Sequence, residues 1–141
     1  MDKKWTPRNI DKFYSVSETD IVAAEKMMKL DFPSELEEFY RDVGYGFINS
    51  PEKNINRLLD PLSVADLRLR MNEYEYYVDV ELYDEFEEGK LLFFEANEGV
   101  LFSIELTKAP EQKIFFFDKV IANSLQEFLK KYCNNNYYYN V

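Results

Sequence analysis

Leu91-Leu92-Phe93-Phe94, Val100-Leu101-Phe102-Ser103-Ile104-Glu105-Leu106 and Ile114-Phe115-Phe116-Phe117 are the three runs of sequence that decide the fold class. Turn-forming residues separate them, Asn97-Glu98-Gly99 in the first gap and Lys108-Ala109-Pro110 in the second. Aromatic and β-branched residues are enriched in strands, and runs separated by such turns are typical of neighbouring antiparallel strands. The pattern therefore predicts an antiparallel meander.

Helices are predicted in the sequence before and after these strands. Three of them begin at a side chain that can accept hydrogen bonds from a first helical turn, and the fourth begins after a proline break. The four predicted starts are Ser17, Ser34 after Pro33, Ser63 with Asp66, and Ser124 with Glu127. Gly44 ends the second helix, and short strands are predicted around residues 46–48 and 55–59. The sequence thus predicts an α+β fold, with a mostly antiparallel sheet of about five or six strands flanked by helices.

One domain accounts for most of the chain. A length of 141 residues corresponds to about one domain, and 46% hydrophobic residues can supply its core. We predict an N-terminal lead over residues 1–16, a single domain over 17–133, and a polar, tyrosine-rich tail over 134–141. Trp5, isolated in the lead, is expected to pack back on the domain, whereas the tail is expected to fray.

The residue types that are rare or missing exclude several classes of chemistry. The sequence has no histidine and one cysteine, Cys133, so it offers neither a histidine-based catalytic device nor the usual zinc ligands. Its four glycines form no phosphate-binding or dinucleotide-binding pattern. We therefore predict no catalytic residues, no metal and no cofactor. The cysteine usage and an N-terminus without an apolar signal region indicate a cytoplasmic protein.

The acidic residues are concentrated in one part of the chain. The formal net charge is −10, from 27 acidic and 17 basic residues. Residues 32–90 contain 15 acidic and six basic residues, so this part alone carries −9. Such a balance disfavours direct binding to nucleic acid or to an anionic membrane surface. It suits a basic protein as the partner.

Residues 73–88, here called the acidic segment, contain eight acidic residues and no Lys or Arg, so these carboxylates are expected to be uncompensated. Tyrosines lie between them, and tyrosine is enriched among the residues that anchor protein interfaces. The predicted partner-binding residues are Glu73, Tyr74, Glu75, Tyr76, Tyr77, Asp79, Glu81, Tyr83, Asp84, Glu85, Glu87 and Glu88. The alternative interpretation is a solvated face without a partner. The conformation stays open between an edge strand, a helical stripe continuing from Leu67, and a loop with a helical turn near residues 83–88.

Three further stretches carry a family resemblance. The first is Leu30-Asp31-Phe32-Pro33-Ser34-Glu35-Leu36-Glu37-Glu38-Phe39-Tyr40 followed by Gly44-Tyr45-Gly46, the second is Glu95-Ala96-Asn97-Glu98-Gly99, and the third is Ile121-Ala122-Asn123-Ser124-Leu125-Gln126-Glu127-Phe128-Leu129. In order and spacing they resemble the SUKH superfamily, the immunity-type domains related to the fungal Smi/Knr cell-wall regulators. The resemblance covers residues 17–132. It implies an α+β fold with a mostly antiparallel sheet, and no catalytic residues to transfer.

The resemblance also implies a function, because bacterial members are largely antitoxins that bind and block toxins encoded beside them, many of them nucleases. We therefore predict a non-enzymatic immunity protein whose acidic, tyrosine-rich surface covers a cognate toxin, with a basic nuclease as the expected target. The alternative is an intracellular interaction or scaffold module of the same fold that has no toxin partner. A carboxylate-dependent hydrolase is a third hypothesis and would require two acids that face one pocket.

Overall fold

Seven antiparallel strands form one sheet in the computed structural model, which describes residues 4–48, 56–76, 80–97 and 99–140. They are β1 (Lys12–Tyr14), β2 (Tyr45–Phe47), β3 (Arg57–Leu58), β4 (Lys90–Ala96), β5 (Val100–Glu105), β6 (Ile114–Phe116) and β7 (Lys119–Ala122). Each strand pairs with the next one along the chain, so the order across the sheet runs from β1 to β7. The predicted α+β class and antiparallel sheet are confirmed, with seven strands in the described part of the chain instead of five or six.

Three of the α-helices in the described residues lie in connections between these strands, and the last one follows β7. The four α-helices are α1 (Glu18–Met28), α2 (Ser34–Asp42), α3 (Pro61–Leu69) and α4 (Leu125–Asn134), and 3₁₀ turns cover Asn72–Tyr74, Val80–Phe86 and Tyr138–Asn140. Helices α1 and α2 lie between β1 and β2, whereas α3 lies between β3 and β4. Within the residues that the structure describes, none of these helices has the length and apolar character that crossing a membrane requires.

Side-chain caps fix where three of the helices begin. The Ser17 hydroxyl accepts from the Asp20 N–H at 3.1 Å, and the Ser124 hydroxyl accepts from the Glu127 N–H at 3.0 Å, as predicted. The predicted cap of α3 at Ser63 is wrong. Asp60 is the cap, because its carboxylate accepts from the Ser63 N–H at 3.2 Å and the next residue, a proline, suits a first helical position.

Gly44 allows β1 to lie against the end of α2. Its N–H donates to the Phe39 carbonyl at 3.0 Å, which closes the helix as predicted. Its φ is 116°, and a Cβ atom at this position would lie 1.9 Å from the carbonyl oxygen of Tyr14. Only glycine therefore permits this approach.

Aromatic side chains hold α4 against the centre of the sheet. The ring of Phe102, on β5, has its centroid 5.5 Å from Phe128 and 5.9 Å from both Phe94 and Tyr132. All four side chains are fully buried. The contacts with Phe128 and Tyr132 are edge-to-face, an arrangement that aromatic pairs favour. This cluster forms the middle of the hydrophobic core.

Both flanking segments contact the core. Trp5 is 8% exposed and lies 5.7 Å from Phe13 between ring centroids, as expected for a side chain that packs back. The prediction of a frayed tail is wrong for residues 138–140: the Tyr139 ring is buried 4.8 Å from Phe102, and the Tyr138 hydroxyl donates to the Ile121 carbonyl at 2.7 Å. The tail is fixed because its tyrosine rings bury against the sheet. The domain boundaries at residues 17 and 133 stay a prediction.

Candidate functional site

The described residues of the acidic segment, 73–76 and 80–88, lie between α3 and β4 and belong in part to two 3₁₀ turns. Helix α3 is terminated at Arg70, whose φ of 55° is left-handed, so the helical stripe from Leu67 does not continue. An edge strand is also wrong for the described residues, because β4 already pairs with β3 and β5 and the sheet has β1 and β7 at its edges. The structure supports the loop, with a helical turn over Val80–Phe86 in place of 83–88.

Two tyrosines anchor the acidic segment to the core. Tyr74 is 2% exposed and Tyr83 is 5% exposed. The Tyr83 ring stacks on Phe117 at 4.6 Å between centroids, and its hydroxyl accepts from the Leu101 N–H at 3.0 Å. Burial raises the pKa of Tyr74 well above its usual value. The expectation that these two rings contact a partner is corrected, because both are buried and attach the segment to the hydrophobic core.

A cation from outside the acidic segment neutralises part of it. The Arg70 guanidinium lies 2.6 Å from the Asp84 carboxylate and 3.1 Å from that of Glu87. Burial raises the pKa of Glu87, and its hydrogen bond with Arg70 opposes that rise. The prediction of eight uncompensated carboxylates is therefore wrong for these two, because the end of α3 brings Arg70 back against the segment.

Most of the predicted partner-binding residues lie on the solvent-exposed surface of the acidic segment. Seven of the twelve predicted partner-binding residues have exposed side chains: Glu73, Glu75, Tyr76, Glu81, Asp84, Glu85 and Glu88. Tyr76 is 86% exposed, and Leu82, which the sequence analysis did not include among the site residues, is 57% exposed. Tyr77 and Asp79 lie outside the described residues. The surface thus combines a high density of negative charge with two large side chains that can make apolar contacts.

This surface can attract and contact a basic partner. Exposed carboxylates can attract a cation that is several ångströms away. The Debye length at physiological ionic strength is about 8 Å, and salt screens the attraction only weakly at shorter separations. Among the described residues, no cluster of three or more Asp, Glu or Cys side chains is arranged to hold a metal ion. Exposed carboxylates can accept charge-assisted hydrogen bonds from Lys and Arg side chains.

A concave surface outside the acidic segment, here called the Trp5 groove, has a volume of 770 Å³. Its walls come from the N-terminal lead, helix α2, the loop before β6 and the first turn of α4. The lining residues are Lys4, Trp5, Thr6, Glu35, Glu38, Phe39, Asp42, Val43, Ala109, Pro110, Glu111 and Gln126. This groove could not be predicted from the sequence, because the segments that form its walls are far apart in the chain. The isolated Trp5 was the one residue that pointed to it.

Glu35 joins three of the elements that form the Trp5 groove. Its carboxylate accepts from the Gln112 N–H at 2.8 Å and from the Leu125 N–H at 2.9 Å. In return, the side-chain oxygen of Gln112 accepts from the Glu35 N–H at 2.8 Å. Burial raises the pKa of Glu35, and the backbone hydrogen bonds oppose the rise. Glu35 therefore ties the start of α2 to the start of α4.

Glu35→Gln is expected to change how stability depends on pH. A carboxyl whose pKa is higher in the folded state binds its proton more tightly there, so the folded protein loses stability as pH rises through the folded-state pKa. Glutamine keeps an acceptor oxygen and does not titrate. The free energy of unfolding of the wild type, relative to that of the variant, should fall as pH rises from about 4.5, the ordinary pKa of the carboxyl, through the raised folded-state pKa, as measured by urea denaturation at each pH. A difference that stays constant or rises over this range contradicts the assignment.

Comparisons with known proteins give one consistent result. The family model described as the SMI1 / KNR4 family (SUKH-1) matches residues 15–131. The chain is also 52% identical over 127 residues to immunity protein YxxD of Bacillus subtilis (strain 168). The matched region covers 90% of this chain and 86% of that protein. The residues that match the family model include strands β2 to β7 and the acidic segment.

Proposed function

Because the chain belongs to the SMI1 / KNR4 family (SUKH-1), we propose that it is an immunity protein that binds and blocks a cognate bacterial toxin. The observation that carries this proposal is the 52% identity to a protein named as an immunity protein, over nearly the full length of both chains. Identity at this level over this length indicates a shared fold. The toxin is expected to be encoded beside this protein.

The exposed part of the acidic segment is the proposed toxin-binding surface. Glu81, Glu85 and Glu88 are exposed, and none of them forms an ion pair with another residue that the structure describes. Leu82 lies within this turn and is 57% exposed. Interfaces commonly combine a central apolar contact with a polar rim, so Leu82 with Tyr76 supplies the former and the carboxylates the latter.

A basic nuclease is the proposed class of toxin. A nuclease needs a cationic surface to bind phosphates, and an acidic inhibitor complements such a surface. Opposite charges can steer association at rates up to about 10⁸–10⁹ M⁻¹s⁻¹ at low salt. Inhibition then occurs by occlusion: the immunity protein covers the substrate-binding surface, and no covalent bond is made or broken.

The net charge and the proposed class of toxin determine which partners and which location we expect. The net charge of −10 opposes direct contact with nucleic acid or with an anionic membrane, so the toxin is the proposed partner. We place the action in the cytoplasm, where a nuclease toxin would meet its substrate. The exposed carboxylates are given a binding role, and no catalytic step is assigned to this chain.

Growth rescue tests the proposal directly. The toxin domain from the neighbouring reading frame is expressed in a susceptible host with and without this protein, and the protein is expected to restore growth. An unrelated nuclease toxin, expressed at the same level, serves as the control and should not be neutralised. Equal killing in the presence and absence of the protein contradicts the proposal for that pair and favours an interaction module without a toxin partner.

Occlusion predicts a further result with purified proteins. Nuclease activity should fall in proportion to complex formation and return when high salt separates the two chains. The mass of the toxin should be unchanged after inhibition. A toxin that stays inactive after separation, or that carries a covalent change, contradicts a non-enzymatic mechanism.

A further inference from the structure

The Trp5 groove is separate from the acidic segment and has the composition of a recognition site. Its volume of 770 Å³ lies within the range of about 300–1,000 Å³ that is usual for ligand sites. Trp5 and Phe39, which are almost fully buried, form apolar parts of its lining. Their rings lie 6.1 Å apart between centroids with an interplanar angle of 30°. The groove therefore offers an apolar base on which an aliphatic side chain can lie.

Carboxylates line the groove beside this apolar base. Glu38 and Asp42 are four residues apart on α2, a spacing that places both side chains on one face of a helix. Glu111 contributes a third carboxylate from the opposite loop. Glu35 is already engaged by backbone N–H groups, so the other three are the ones that face an occupant.

Lys4 shows which chemistry the groove accepts. Its ammonium is hydrogen-bonded to the Glu38 carboxylate and lies 3.9 Å from that of Asp42. The side chains of Lys4, Glu38 and Asp42 are 63%, 57% and 60% exposed, so this contact lies in solvent. Exposed ion pairs of this kind hold their partners weakly, and another cation can displace Lys4.

We propose that the Trp5 groove binds an arginine side chain presented by an extended basic segment of a protein partner. A guanidinium is planar and can bridge two carboxylates at once, which an ammonium cannot do as well. Its aliphatic stem would lie on the apolar base, as long cationic side chains do on protein surfaces. The charge balance at the groove, three available carboxylates against Lys4, supplies the attraction. This proposal is independent of the toxin assignment.

Trp5 supplies the reporter for the test, because it is the single tryptophan of the chain and lines the groove. The probe is the blocked pentapeptide acetyl-Gly-Arg-Val-Arg-Gly-amide, titrated while tryptophan fluorescence is recorded. The matched probe carries citrulline in place of each arginine, which keeps the shape and removes the charge. We expect a saturable change with the arginine peptide and an affinity at least about tenfold lower with the citrulline peptide, because charge-assisted hydrogen bonds are lost. No saturable change, or equal responses to both peptides, overturns the proposal.

Paired variants locate the binding. The double variant Glu38→Gln and Asp42→Asn should weaken the arginine peptide at least about tenfold, because it removes both ligands of the guanidinium. The control, Asp20→Asn with Asp118→Asn, makes the same change in net charge at two carboxylates that lie outside both the groove and the acidic segment, and it should bind like the wild type. If the control weakens binding as much as the groove variant, the response reports overall charge and the proposal fails. Neither variant alters the acidic segment, so failure of this proposal is distinguishable from failure of the proposed toxin-binding surface.

Removing the internal occupant gives a result of opposite sign. Lys4→Met keeps a long side chain at the groove and removes the competing ammonium. The arginine peptide should then bind a few-fold more tightly, in keeping with displacement of an exposed ion pair. An unchanged or lower affinity contradicts the role of Lys4 as a competitor for Glu38 and Asp42. Spermidine, a cation without a peptide backbone, is titrated in parallel, and equal affinity for it overturns recognition of a protein segment.

Discussion

Phe102→Ala is expected to lower the free energy of unfolding by about 3–5 kcal/mol, the range measured when large aromatic side chains are truncated in protein cores. Phe102 lies on β5, at the centre of the aromatic cluster, and its side chain is fully buried. Its ring contacts α4 through Phe128 at 5.5 Å and the C-terminal tail through Tyr139 at 4.8 Å. The substitution therefore leaves a cavity where the sheet, the last helix and the tail meet. Urea denaturation followed by circular dichroism gives the change in free energy.

A matched substitution on the next strand controls for the loss of an aromatic residue from the sheet. Phe115 pairs with Ser103 on β5 but is only partly buried, and its ring faces the Lys90 ammonium at 4.4 Å. Phe115→Ala should cost less than half as much as Phe102→Ala, because it leaves no enclosed cavity. Equal losses for the two variants contradict the assignment of Phe102 to the centre of the core. Phe102→Leu, which keeps much of the volume, should recover part of the stability.

The features that could be predicted from sequence are those that depend on neighbouring residues. Ser17 and Ser124 cap their helices because a hydroxyl three residues before an N–H reaches it without help from the rest of the chain. The three central strands follow from runs of aromatic and β-branched residues that need only a turn between them. Gly44 was readable as a helix end for the same reason, since its positive φ is a local requirement.

The features that could not be predicted depend on partners distant in the chain. Strand β1 has three residues, and it is a strand because Phe13 pairs with Gly46 across 33 positions of sequence. Tyr74 and Tyr83 looked like the exposed tyrosines of an interface, and only the folded sheet shows that they are buried. Arg70 lies outside the run of acids that it partly neutralises. In each case a tertiary contact that the local sequence does not contain decides the structure.

The proposed toxin-binding surface yields the second large effect. Replacing Glu81, Glu85 and Glu88 by Gln is expected to raise the dissociation constant of the toxin complex at least about tenfold, which corresponds to about 1.4 kcal/mol. These three carboxylates are exposed, and Glu87 is left unchanged because its contact with Arg70 supports the loop. Most of the loss should appear in the association rate, since exposed charges steer encounter more than they hold the complex. Stopped-flow or surface plasmon resonance measurements at several salt concentrations separate the two rates.

The control must change the net charge equally without altering the acidic segment. Asp20→Asn, Met27→Lys and Asp31→Asn together raise the net charge by three on and beside α1, where all three side chains are at least partly exposed. If charge acts through the whole molecule, both triple variants slow association alike. If the acidic segment is the contact surface, its variant alone loses the greater part of the association rate and of the salt dependence, because only nearby charges act within a Debye length of about 8 Å. Binding kinetics equal to those of the wild type would show that Glu81, Glu85 and Glu88 form a solvated face, and the toxin must then contact another surface of the fold.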